Sequence, residues 1–165
     1  VHRMVFDRPP ELSGELAPAS LFVGMTDRGW GSTGPKREGL QRLMWTGQVP
    51  FEIKEMKVRP DGFELVYTLE VGEEALQAAA YRMTSYTYEY HPDYGSEEKD
   101  TAEVKITGVE RTGASSVRLH VEKLRTGPMG YVHELHVNGV KSGGEAGESL
   151  LHDVAYYTVQ RVPVK

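Results

Sequence analysis

The sequence predicts an all-β protein: an Ig-like β-sandwich of about seven strands, preceded by a separate group of three short strands. Three observations carry this reading. Residues 63–71, FELVYTLEV, place Phe63, Leu65, Tyr67, Leu69 and Val71 on one parity and Glu64, Thr68 and Glu70 on the other, which is the two-residue period of a strand with one buried face. Further strand-like runs recur at intervals of ~8–15 residues with turn residues between them, the rhythm of a sandwich rather than of a parallel α/β sheet. Residues 1–47, by contrast, hold only short apolar runs between long polar loops, and so small a sheet is marginal by itself in water.

Residues 1–6, VHRMVF, read as a first short strand that ends at Asp7-Arg8-Pro9-Pro10, because paired prolines cannot continue a ladder. Residues 21–24 and 40–45, LQRLMW, read as the second and third strands. Between them residues 27–38, DRGWGSTGPKRE, hold three glycines and a proline, the composition of a surface loop. Such strands need a sheet to join, in the following domain or in a part of the protein outside this sequence, and a start without methionine fits a chain cut from something longer. The boundary is placed between residues 1–47 and residues 48–165.

The second domain is built on residues 63–71, which follow the turn Pro60-Asp61-Gly62; there proline fixes φ and glycine accepts a positive φ. Residues 51–58 read as the preceding strand, and a slip of apolar parity between Ile53 and Met56 predicts a bulge. EEALQAAA within residues 72–80 is rich in helix formers and makes a crossover of one or two turns. Residues 81–90 are aromatic and β-branched, hence a strand, again with a parity slip, from Tyr81 and Met83 to Tyr86, Tyr88 and Tyr90. Residues 91–102, HPDYGSEEKDTA, are polar and turn-rich and read as a loop. Strands are expected over 104–109, 117–124 and 131–140, with turns at Thr112-Gly113 and Gly127-Pro128-Met129-Gly130. A glycine-rich loop over 142–148 then leads to a last strand over about 155–162.

Composition excludes several classes of function. The chain has 165 residues, 26% charged and 39% apolar, with a net charge of −5 and no long basic run, so nothing supplies the clustered cations that a nucleic-acid groove requires. It has no cysteine, which rules out disulfides, thiolate catalysis, thiolate zinc sites and covalent haem attachment within it. No run approaches the ~18 apolar residues of a membrane helix, so no membrane span is expected, and the first residues lack a signal-peptide core.

Two sets of residues resemble known families. From Pro60 to Val162 the order PDGFELVYTLEV, short helical turn, tyrosine-rich strand, SVRLHVEKL…YVHELHVNGV and LLHDVAYYTVQRVP is similar to bacterial Ig-like domains of the surface-layer type. LFVGMTDRGWGSTGPKREGLQRLMWTGQVPFEI resembles the junction at the carboxyl end of bacterial sorbosone/glucose-dehydrogenase-like β-propeller proteins, where the last blade passes into such a domain. VHRMVF resembles the strand before it, although residues 9–20 are longer than the tight turn of that family. The resemblance implies that residues 1–47 are a partial last β-propeller blade, whose partners are the remaining blades of the parent. It implies a periplasmic or extracellular parent, often associated with a cytochrome c module, with pyrroloquinoline quinone and Ca²⁺ on the propeller axis. Those cofactors and the catalytic residues would sit on other modules, so no cofactor, metal site or catalytic residue is assigned to this chain. It is expected to be a non-catalytic structural or docking module, with a carbohydrate-binding module as the alternative.

The candidate binding residues are few. Tyr86, Tyr88 and Tyr90, on one face of one strand with Tyr94 just beyond, either stack on sugar rings or partner side chains or pack on a neighbouring strand. Arg28 and Trp30, in the glycine-rich loop, are an interface-type pair, facing a propeller mouth or pinning the blade to the sandwich. GSTGPK in that loop lacks the spacing of a phosphate cradle. His133 and His136 invite a metal reading, yet residues three apart on a strand point to opposite faces, so His133 is read as a hydrogen-bonded histidine of the core or rim. His152, after Leu150-Leu151 at the entry to the last strand, could approach either, but nothing in the sequence shows that it does. The scattered glutamates read as solvated surface, and DYGSEEKD over 93–100 lacks the ligand pattern of a Ca²⁺ loop.

Overall fold

The computed structural model describes residues 4–7, 20–26, 38–145 and 147–164. The chain divides into two compact units, Val1–Gln48 and Val49–Lys165. Among the described residues no helix is long and apolar enough to cross a membrane.

The first unit is an antiparallel sheet of β1 (Met4–Asp7), β2 (Ser20–Thr26) and β3 (Glu38–Met44), with β2 in the middle. The register sets Leu21 opposite Leu43 and Phe22 opposite Arg42. Arg42 Nε donates to the buried Ser20 hydroxyl at 2.9 Å, and its guanidinium lies 5.7 Å from the Phe22 ring centre. Three strands stand where three were expected. β3 is exposed at six of its seven positions; Leu40 is 71% exposed, and Leu43, Met44 and Trp45 are each more than half exposed.

The second unit is a sandwich of two four-stranded sheets. One contains β4 (Ile53–Arg59), β5 (Gly62–Tyr67), β9 (Ser116–Val121) and β8 (Ile106–Gly113), in that spatial order. The other runs β11 (Val154–Val159), β10 (Tyr131–Val137), β6 (Tyr81–Thr87) and β7 (Lys99–Glu103). The chain crosses between sheets through two 3₁₀ turns, Glu73–Leu76 and Ala78–Ala80, separated by an extended Gln77. That interruption is why EEALQAAA makes a crossover without making an α-helix.

The alternation on β5 does what its period dictates. Phe63, Leu65 and Tyr67 are buried between the sheets and meet Val117 and Leu119 of β9 and Met83, Leu135 and Val137 of the opposite sheet. Burying each such side chain stabilises the fold by roughly 1.5–3 kcal/mol. Gly62 has φ 154°, and a Cβ there would stand 1.9 Å from the Leu119 carbonyl oxygen, so the turn into β5 requires glycine for space as well as for φ. Both parity slips are real irregularities: pairing shifts between Ile53 and Glu55 on β4, and between Ser85 and Thr87 where β6 meets β7.

Three expectations are corrected. Residues 91–102 are not all loop, because β7 begins at Lys99, giving the sandwich eight strands. Its sequence KDTAE is exposed at every position but Ala102, so an edge strand with hardly any buried side chain left no apolar period to read. Thr112-Gly113 lies within β8; the turn falls at residues 114 and 115, one step later, because the ladder bulges between Arg111 and Gly113. The tyrosine-rich strand ends at Thr87 rather than Tyr90, which separates Tyr86 from the two tyrosines that follow it.

Candidate functional site

The outer face of the sheet β11-β10-β6-β7 gathers most of the chemistry. On β6 the side chains of Tyr81, Met83 and Ser85 are buried toward the core, which leaves Arg82 and Thr84 facing out. β10 pairs in regular register with β6, so Val132, Glu134 and His136 share that outer face with Tyr86, Thr84 and Arg82 respectively. β11 completes each row: Thr158 beside Val132, Tyr156 beside Glu134, Val154 beside His136.

At the centre stands Glu134. His136 Nε2 lies 2.7 Å from its Oε1, which fixes the carboxylate and leaves its second oxygen unengaged by any described residue. An open depression of about 560 Å³ lies over this row, lined by Arg82, Thr84, Glu134, His136 and Asn138 and bounded by Ala79 and Ala80. Tyr156, beside Glu134 on the edge strand β11, is 59% exposed.

The expected tyrosine row breaks up. Tyr86 is 5% exposed, Tyr88 42% and Tyr90 87%, because only Tyr86 lies on the strand. The Tyr88 ring meets that of Tyr86 edge-on, 5.5 Å between centres and 80° between planes. Burial first, then the Tyr88 hydroxyl and the nearby Glu98 and Glu134, raise the Tyr86 phenol well above its ordinary value, so it stays protonated. Tyr90 and Tyr94 are solvent-facing on the following loop, whose neck is tied by Lys99 to Glu89 and by the Glu89 N–H donating to Ser96 Oγ at 3.2 Å. Arg28 and Trp30 lie outside the described residues.

The histidines do not converge. His133 is fully buried, its Nδ1–H donating to the Tyr131 carbonyl at 3.1 Å and its Nε2 accepting the Arg125 N–H at 3.4 Å. The tautomer follows from these partners, and the ring lies 5.2 Å from that of Phe63. Burial holds the imidazole below its ordinary value, hence neutral. His136 faces outward from the same strand, as alternation requires, and His152 is bound instead to the Glu52 carboxylate. Among the described residues no three or more His, Asp and Glu side chains are placed to hold a metal ion.

One cluster escaped the sequence reading. Arg125 donates to the Ser85 carbonyl at 3.0 Å, the Ser85 hydroxyl at 3.1 Å and the Asp100 carbonyl at 2.6 Å, and it also binds the Asp100 carboxylate. Tyr131 donates its hydroxyl to the same carboxylate at 2.6 Å. Asp100 has φ 54°, the single positive φ outside glycine among the described residues, and this network is what holds it in a sparsely populated conformation. It pins β6, β7 and β10 together at one end of the sheet.

The other faces are occupied by their own ion pairs. On β4-β5-β9-β8, Arg59 binds Glu64, Arg118 binds Asp61 at 3.1 Å, and His120 stands between Asp61 at 3.1 Å and Glu110 at 3.2 Å. A second depression, of about 590 Å³, lies beside Glu70, Arg111 and Lys141; there Arg111 already binds the Glu73 carboxylate at 2.8 Å and the Val71 carbonyl at 3.2 Å.

No family model and no curated protein matches the chain. Among solved structures it is similar to domains 1–6 of the surface layer protein SbsC, with a TM-score of 0.50 and 13% identity, over 70% of this chain and 14% of that one. The chain therefore spans about one seventh of the protein it resembles. At this identity the likeness speaks for the fold, a surface-layer-like β domain, and carries nothing for the sugar-dehydrogenase junction read over residues 21–53.

Proposed function

We propose that this chain is a non-catalytic structural or docking module of a periplasmic or extracellular protein. The observation that carries the reading is the contrast between its two units. The sandwich closes its own core, whereas the first unit leaves Leu40, Leu43 and Met44 of β3, and Trp45 just after it, exposed, apolar side chains on both faces of the strand suited to a covering partner. The likeness to a surface layer protein supports a structural role outside the cytoplasm. We further propose, from the resemblance of residues 21–53, that the covering partner is the rest of a β-propeller related to sorbosone and glucose dehydrogenases. Pyrroloquinoline quinone, Ca²⁺ and haem c would then belong to that parent's other modules.

The experiment compares the whole chain with residues 49–165 expressed alone. The shorter piece is expected to melt cooperatively, and the whole chain, supplied with pyrroloquinoline quinone and Ca²⁺, to leave a redox dye unreduced in the presence of glucose or sorbosone. Dye reduction by this chain alone, or a 49–165 piece that stays unfolded, overturns the division of labour.

A further inference from the structure

We infer that the outer face of β11-β10-β6-β7 is a binding face for an uncharged oligosaccharide, centred on Glu134, with Arg82, His136 and Asn138 as hydrogen-bonding groups and Tyr156 as the stacking platform. This goes beyond the structural reading and does not rest on it or on the propeller context, since every residue involved belongs to the sandwich.

The chemistry of the row is what selects the ligand. A sugar presents vicinal hydroxyls, each a donor and an acceptor, beside flat patches of C–H. Its recognition calls for planar polar side chains of both kinds next to an aromatic face. Arg82 offers donors only, the free oxygen of Glu134 offers an acceptor, and the Asn138 amide offers both. Arg82 faces His136 and Thr84 faces Glu134 across the β6–β10 ladder, pairs about 4.5–5.5 Å apart, and Asn138 directly follows β10. Tyr156 lies directly beside Glu134 in the ladder, 59% exposed, an apolar plane with a polar tip.

Charge argues against the competing ligands. One guanidinium and one carboxylate balance each other across the depression, so no field of a single sign draws a nucleic acid or an acidic polymer. The lining is too polar for a lipid chain, because Thr84, Glu134 and Asn138 would lose water without gaining partners. The depression, about 560 Å³, falls within the ~300–1,000 Å³ range of small-ligand sites. Ala79 and Ala80, which bound it, offer only methyl groups. All its groups except Asn138 and those alanines stand on strands, which hold them rigid.

The row also places the tyrosines differently from the expectation drawn from residues 81–90. Tyr86 is roofed by Tyr88 and is support rather than contact, while the platform comes from Tyr156 on another strand.

The test is affinity electrophoresis of the full chain in native gels cast with β-glucan, xylan, glucomannan or galactan, followed by calorimetric titration with the hexasaccharide of whichever polymer retards it. Retardation in at least one gel is expected. Arg82→Ala and Tyr156→Ala should each weaken hexasaccharide binding by about tenfold or more, with the melting temperature unchanged because both side chains face solvent. Lys57→Ala, on the opposite sheet, should leave binding intact. Migration unaltered in all four gels overturns the inference. So does retardation that survives both substitutions, since binding would then lie elsewhere on the chain.

Discussion

The guanidinium of Arg125 lies 4.3 Å from the centre of the Tyr131 ring while both residues bind one carboxylate, that of Asp100. Arg125 is mostly buried there and satisfies carbonyl, hydroxyl and carboxylate acceptors drawn from β6 and from β7. Its removal would strand several of them without a donor.

Arg125→Ala is therefore expected to destabilise the sandwich by about 2–4 kcal/mol, the range for breaking a hydrogen-bonded charged network. Asp100→Gly, which relieves the positive φ but deletes the carboxylate, should lose less, about 1–2 kcal/mol. Urea unfolding followed by far-ultraviolet circular dichroism measures both, and equal losses would mean that the backbone conformation, not the network, is what matters.

The core of the sandwich gives a second pair. Phe63→Ala should cost about 3–5 kcal/mol by loss of buried area and creation of a cavity. Gly62→Ala, one residue earlier, places a methyl against the Leu119 carbonyl and is expected to cost on the order of 2 kcal/mol or more through backbone displacement. If Gly62→Ala unfolds at the same urea concentration as the parent chain, the close approach of β5 and β9 is wrong.

His133 predicts a pH dependence. Its folded imidazole titrates below the ordinary 6.5 because burial disfavours the charged form, with the Arg125 charge adding to the effect. Between the folded value and 6.5 the unfolded chain binds a proton that the folded chain refuses. Stability is therefore complete above about pH 6.5 and is lost as pH falls from there toward the folded value. Glu64 acts in a lower window: Arg59 holds its carboxyl below the ordinary 4.5, so its contribution is lost only as pH falls below about 4.5. The urea midpoint should drop in both windows, and His133→Gln should flatten the upper one alone.

The exposed side chains of β3 predict concentration-dependent association. Leu43→Glu with Met44→Lys is expected to keep the chain monomeric at concentrations where the parent associates, as read by light scattering. The melting of the sandwich should stay within about 0.5 kcal/mol of the parent, as for surface substitutions generally. A parent chain that stays monomeric throughout would remove the main support for a covering partner.

What the sequence disclosed depended on how local the signal was. The alternation of residues 63–67, the parity slips between Ile53 and Met56 and between Met83 and Tyr86, and the opposed faces of His133 and His136 are properties of single strands, legible without knowing any neighbour. β7 was hidden because a polar edge strand has no apolar period. The adjoining rows Thr84–Glu134–Tyr156 and Arg82–His136–Val154 could not be read at all, since their members meet only through the registers of β6, β10 and β11. The same is true of Asp100, Arg125 and Tyr131, brought together across 25 and 31 residues.

The polar margin formed by β7 has a further effect. A passing extended chain that tried to prolong the sheet at Lys99–Glu103 would have to strip water from charged side chains and would gain no greasy surface in return. Copies of this sandwich can therefore meet at high concentration without knitting into fibres along that border.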